Sequence, residues 1–150
     1  MAFTLTSPSF EAGGAIPRRF TCDGADLSPA LAWEGAPATA AAFALIVDDP
    51  DARGFVHWVA YNLAGSVAGR LAEGAAAAPG APAQGRNDFG RIGYGGPCPP
   101  SGTHRYVFTL LALARPLSLP GGPSAAQVRS AAREVTIGEA VLGGTYTRRR

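Results

Sequence analysis

The stretch DDPDARGFVHWVAYNL, residues 48–63, carries the pattern that decides the fold. Its second half alternates: Phe55, His57, Val59, Tyr61 and Leu63 share one face of an extended chain, and Val56, Trp58, Ala60 and Asn62 share the other. Both faces are largely apolar, so the segment reads as an interior strand covered on both sides. Its first half is an acidic turn in which Pro50 presets one backbone dihedral and the flanking aspartates cap neighbouring amides. His57 therefore lies a few residues beyond the acidic group of Asp48, Asp49 and Asp51.

Working outward, further apolar runs punctuated by Gly, Pro and Asp read as strands at residues 3–6, 31–33, 42–48, 104–113 and 140–147. One segment, SAAQVRSAAREV, reads as a helix with Ser124 as its N-cap. A strand-rich pattern with so little helix argues for a sandwich or barrel. At 150 residues the chain is expected to form a single domain over residues 1–150, burying roughly two-thirds of its unfolded surface. Residues 69–102 form a long segment rich in Gly, Ala and Pro. Residues 73–86 are expected to be a mobile surface excursion, and NDFGRIGYGGPCPP (87–100) to be ordered by its aromatic residues and prolines.

Composition narrows the function classes. A net charge of +2, with Arg148-Arg149-Arg150 as the only dense basic cluster, gives no basic stripe for nucleic acid. No apolar stretch is long enough to span a bilayer and the N-terminus has no secretory pattern, so a cytoplasmic location is expected. In that setting Cys22 and Cys98 are expected to be free thiols.

The second informative stretch is GPCPPSGTHRYVF, residues 96–108. A proline-stiffened loop leads into a strand on which His104, Tyr106, Phe108 and Leu110 share a face. The chain has two histidines, and each sits near the start of such a strand. Three chemistries use these residues. A metal site would gather His57, His104, Asp49 and Asp51, although no short HxH or HxxxH pair supports it. A hydrolase would use Ser101 or Cys98 as nucleophile with His104 as base, without a nucleophile-elbow pattern. A binding site needs less: imidazole, phenol and backbone N–H donors converging on a small anion, with Asp49 orienting a histidine. The plainest reading makes both histidines hydrogen-bonded residues at strand ends.

Together, DDPDARGFVHWVAYNL and GYGGPCPPSGTHRYVF resemble the two central motifs of the phosphatidylethanolamine-binding protein family, also called Raf kinase inhibitor proteins. IPRRFTCDGADLSPALAW near the N-terminus and AVLGGTY near the C-terminus are similar to its bacterial YbhB/YbcL branch. The resemblance covers essentially the whole chain. It implies a mainly β protein, an antiparallel β-sandwich with one or two short helices, holding a small pocket for an anion or phosphorylated head group. It implies no established catalysis, and no cofactor or metal is expected. By motif, Asp49, His57, His104 and Tyr106 fall at the pocket, Phe55 forms an apolar wall, Cys98, Pro99 and Pro100 form the rim, and Ala52 the opposite lip.

The expected partners are therefore a small anionic ligand and a regulated protein such as a kinase or protease, with a homodimer as the bacterial assembly. Two departures bear on this. Only Ser101-Gly102-Thr103 separates the proline pair from His104, shorter than in many relatives. The chain also has no terminal helix after the last strand such as animal members have, so kinase inhibition is expected to transfer poorly.

Overall fold

A computed structural model of the chain describes residues 2–148. Arg149 and Arg150, two of the three terminal arginines noted above, lie outside the described residues. Eight strands and one helix follow in the order β1 (Thr4–Thr6), β2 (Leu31–Glu34), β3 (Ala42–Asp49), β4 (Phe55–Leu63), β5 (Gly69–Leu71), β6 (Ala83–Gln84), β7 (Gly102–Leu113), α1 (Ala125–Ala132) and β8 (Thr136–Arg148). Short 3-10 turns lie at Arg18–Phe20 and Pro50–Ala52. All named strand pairs are antiparallel, in a small sheet β1-β2-β5 and a larger one β6-β4-β3-β7-β8.

Hydrophobic burial divides the molecule into three layers. Between the sheets, Leu5, Leu31 and Trp33 pack against Phe43, Leu45, Val47, Trp58, Phe108 and Leu110. On the far face of the larger sheet, Ala44, Ile46, Val56 and Val59 pack beneath Val128 and Ala132 of α1. The central strand β3 is buried on both faces, which explains its unbroken apolar sequence AFALIV. Helix α1 begins as expected. The Ser124 hydroxyl accepts from the Gln127 N–H, and the Gln127 side chain accepts from the Ser124 N–H, closing a capping box.

The alternation expected in β4 is broken twice. Val47 pairs with Trp58 but its neighbour Asp48 pairs with Val56, so His57 is an extra residue. A second extra residue falls between Ala60 and Leu63, where Asn62 takes a left-handed φ of 54°. In consequence Trp58, Ala60 and Leu63 enter the inter-sheet core, while Val56, Val59 and Tyr61 enter the core under the helix. His57 thus sides with Trp58 rather than with Val59. On β7 the expected face holds: His104 leads a row continuing through buried Tyr106, Phe108 and Leu110.

Two further expectations are corrected. Residues 73–86 are tied down rather than free: Gln84 accepts from Trp58 Nε1 at 2.7 Å and donates to the Ala76 carbonyl at 2.9 Å, and the Gly74 and Ala76 N–H groups bond to Ser28. Anchorage runs through backbone groups, Gln84, the Ser28 hydroxyl and an Arg19–Glu73 ion pair, partners that composition does not reveal. Cys22 and Cys98 are not free thiols but form a disulfide across 76 positions. The Cys22 N–H bonds to the Pro97 carbonyl and Tyr94 Oη to the Phe20 carbonyl, so the two segments already lie side by side. No helix among the described residues is long and apolar enough to cross a membrane.

Trp58 is fully buried in the inter-sheet core. Trp58→Ala is therefore expected to lose about 3–5 kcal/mol in denaturant unfolding, more than His57→Ala. Replacing both Cys22 and Cys98 with serine is expected to lower stability by about 2–4 kcal/mol, because the disulfide closes a long loop in the unfolded chain. Comparing melts with the oxidised wild type checks both values.

Candidate functional site

The site is built where β3 ends and β7 begins. Asp49 closes β3 and caps the following turn, its Oδ1 accepting from the Asp51 N–H at 2.8 Å. Pro50 starts that turn, and left-handed Arg53 and Gly54 reverse the chain into β4. The other carboxylate oxygen, Oδ2, accepts from His104 Nδ1–H at 2.6 Å. Asp49 is buried with both oxygens used, one within the turn and the other to join it to β7.

Asp51 does similar work at the surface. It accepts from the Arg105 backbone N–H at 2.8 Å and from the guanidinium at 3.0 and 3.1 Å. The hydrogen bonds from Arg105 hold its carboxyl at about 2. Asp51 therefore clamps the turn onto β7 instead of facing the histidines.

His57 is 4% exposed and donates Nδ1–H to the Gly95 carbonyl at 2.7 Å. A carbonyl only accepts, so this contact places the proton of the neutral ring on Nδ1. Burial pushes the His57 pKa below its ordinary value, outweighing the raising effects of the Gly95 backbone and the Asp49 carboxylate. Aromatic rings hold the imidazole on three sides: Phe55 at 5.2 Å, Phe89 at 5.4 Å and Tyr106 at 5.2 Å between centroids.

Tyr106 is 1% exposed, and its hydroxyl is one of two buried side-chain polar atoms among the described residues without a hydrogen-bond partner. The other, Trp33 Nε1, belongs to the small sheet. Burial pushes the Tyr106 phenol well above its usual pKa, with the Asp49 carboxylate adding to the effect, so it stays neutral.

These groups enclose a cavity of about 440 Å³. All nine residues singled out from the sequence line it: Asp49, Ala52, Phe55, His57, Cys98, Pro99, Pro100, His104 and Tyr106. Asp88 and Phe89 also line it and were not anticipated. Asp88 Oδ2 accepts from the Val56 N–H at 2.7 Å, and Phe89 meets Phe55 edge-on at 4.8 Å. The adjacent Asn87 organises their turn, accepting from the Phe89 and Arg91 N–H groups and donating to the Gly93 carbonyl. An Asn-Asp pair in a Gly-rich stretch signals a turn, but nothing in it says which strand the turn will meet.

The residues named for catalysis are arranged differently. Cys98 Sγ is bonded to Cys22 and offers no thiolate, and Ser101 is exposed and outside the cavity lining. No three His, Cys, Asp or Glu side chains among the described residues converge in a metal-holding group.

The family model for phosphatidylethanolamine-binding proteins matches residues 6–147. A UPF0098 protein of Methanothermobacter thermautotrophicus is 46% identical over 155 residues, covering 96% of this chain and 98% of its own. The LppC protein of Mycobacterium tuberculosis, named as a lipoprotein, is 44% identical over 147 residues, covering 95% of this chain and 71% of its own. Among solved structures, a phosphatidylethanolamine-binding protein homologue of Chlamydia trachomatis superposes with a TM-score of 0.89 at 39% identity, covering 98% of each chain. Escherichia coli YbcL, described as a member of the mammalian family, gives 0.89 at 31% identity, covering 99% of this chain and all of its own. The chain belongs to the phosphatidylethanolamine-binding protein family.

The lowered His57 pKa has a pH consequence with a defined sign. Near neutrality His57 is uncharged in both folded and unfolded chains; as pH falls below about 6.5 the unfolded chain binds the proton first. Stability contributed by neutral His57 is therefore fully present above that pH and is lost as pH falls through the folded pKa. NMR is expected to show His57 titrating below the ordinary histidine value, and His57→Phe to reduce the loss of stability over this window.

Proposed function

We propose that the cavity binds a small phosphoryl anion, either inorganic phosphate or a phosphorylated head group, and that the chain is a ligand-binding regulator rather than an enzyme. The observation that carries this reading is the unpartnered Tyr106 hydroxyl. A buried hydroxyl without a partner costs about 1–3 kcal/mol, and a ligand oxygen would satisfy it. The binding residues are those nine named from the sequence together with Asp88 and Phe89. His104 adds a second polar group to the cavity, its ring held in place by the Nδ1–H bond to Asp49.

Binding is favoured over hydrolysis by the disulfide at Cys98 and by the position of Ser101 outside the cavity. Ligand occupancy would then be read by a protein partner. A second copy of the chain, forming a homodimer, would cover the exposed Ile137 and Val141 of β8. The disulfide favours an oxidising compartment over the cytoplasm expected from the sequence, in keeping with a relative named as a lipoprotein.

Titration with phosphate or phosphoethanolamine, followed by NMR of both imidazoles, tests the site. Shifts of the His57 and His104 rings are expected, and their absence at millimolar ligand would sink the proposal. Tyr106→Phe is expected to weaken binding roughly tenfold or more while leaving the free protein at least as stable as wild type.

A further inference from the structure

Resting on the anion-binding reading above, we propose that His57 selects the protonation state of the ligand. Its Nε2 accepts a hydrogen bond from a P–OH, so the pocket prefers a phosphoryl group that still carries a proton over an anion of the same shape with none. The argument begins with donors and acceptors. The Gly95 carbonyl takes the Nδ1–H, so Nε2 of the neutral ring keeps its lone pair, in a side chain that lines the cavity. Turning the ring to present its N–H instead would break the Gly95 contact, and Phe55, Phe89 and Tyr106 pack around it.

Protonating His57 would convert Nε2 into a donor, but desolvation opposes that charge. The groups that bear on it from the surrounding elements are Asp48 and Asp49 on β3, His104 and Tyr106 on β7, Asp26 in the loop before β2, and Asp88 beside β4. Asp49 and Asp26 raise the His57 pKa, yet burial prevails. The cavity thus holds an acceptor at His57, a neutral donor at Tyr106, the Asp49–His104 pair and a carboxylate at Asp88. A fully deprotonated oxyanion presents only acceptors and would face the His57 lone pair unsatisfied. A monoprotonated phosphoryl group matches the pair, donating its P–OH to Nε2 and accepting from Tyr106 Oη. An unpaired buried acceptor is the penalty by which such sites discriminate.

Inorganic phosphate and sulfate separate the two ideas, because near neutrality sulfate is a tetrahedral dianion with no proton, while phosphate has the same shape, no greater negative charge and at least one proton. Their affinities for the oxidised, full-length chain should be measured calorimetrically at pH 7, in buffers of different ionisation enthalpy, with the His57 ring nitrogens followed by NMR. Phosphate is expected to bind at least tenfold tighter than sulfate, with His57 remaining neutral and protonated on Nδ1 in the complex. His57→Phe is expected to bring the two affinities within about threefold. Equal affinities in wild type, or proton uptake that turns His57 into an imidazolium on binding, would overturn the selection while leaving an anion site intact. Binding of neither ion at millimolar concentration would overturn the anion site itself and the selection with it.

Discussion

Where β3 runs out, its neighbour β4 spends two residues, His57 and Trp58, against the single step from Val47 to Asp48. Without that extra residue the pleat would keep His57 on the face opposite Trp58, toward the core beneath α1. With it, His57 and Trp58 both face inward. Trp58 closes the inter-sheet core, and His57 stands at the core's open end against Tyr106. Phe55, two residues earlier, joins the same wall. The Val56 N–H also takes its partner from outside the ladder, and Asp88 supplies it, bringing the 87–93 turn and Phe89 over the cavity. One insertion in a ladder thereby sets the histidine, the aromatic wall and the loop that covers them.

The sequence made the main strands legible because each carries its own evidence, an apolar run ended by Gly, Pro or Asp. It left β5 and β6 unseen, since Gly69–Leu71 and Ala83–Gln84 are strands only by virtue of their pairing with β2 and β4. The site was legible through its two histidine-bearing motifs, and all nine residues chosen from them meet in one cavity. The bulge was not, because FVHWVAYNL alternates so regularly that an uninterrupted strand fits it; only the register against β3 exposes the extra residues. Asp88 and Phe89 were missed for a related reason: their importance comes from Val56 and Phe55 on another element. For the disulfide, the sequence offered two cysteines and an argument from compartment. The hydrogen bonds that align residues 20–26 with 94–97 are long-range facts.

Electrostatically the pocket is built to limit charge. Asp49 is buried, yet both of its oxygens are committed, one to the Asp51 N–H and one to His104. Asp51 is drawn outward by Arg105, and Asp48 by Arg129 of α1 at 3.1 Å. His57 and Tyr106 are kept neutral by burial. Three aspartates in sequence thus contribute one carboxylate to the cavity, and that one acts through His104.

An unsatisfied Tyr106 hydroxyl and a desolvated His57 are both unfavourable for the free protein, so the surrounding structure must hold them in place. Two features do so without entering the cavity. The cores on either side of β3 fix its carboxyl end, where Asp49 sits, from both faces. On the rim, the Cys22–Cys98 bond joins the proline loop to the segment after Phe20, and Arg148 of β8 reinforces that joint by bonding to Asp23 at 2.8 Å and reaching the Pro99 carbonyl at 3.5 Å. The rim is therefore secured to a part of the chain distant in sequence from either histidine motif. A loop restrained in this way can keep the Gly95 carbonyl against His57 Nδ1, and it is that contact which makes Nε2 an acceptor.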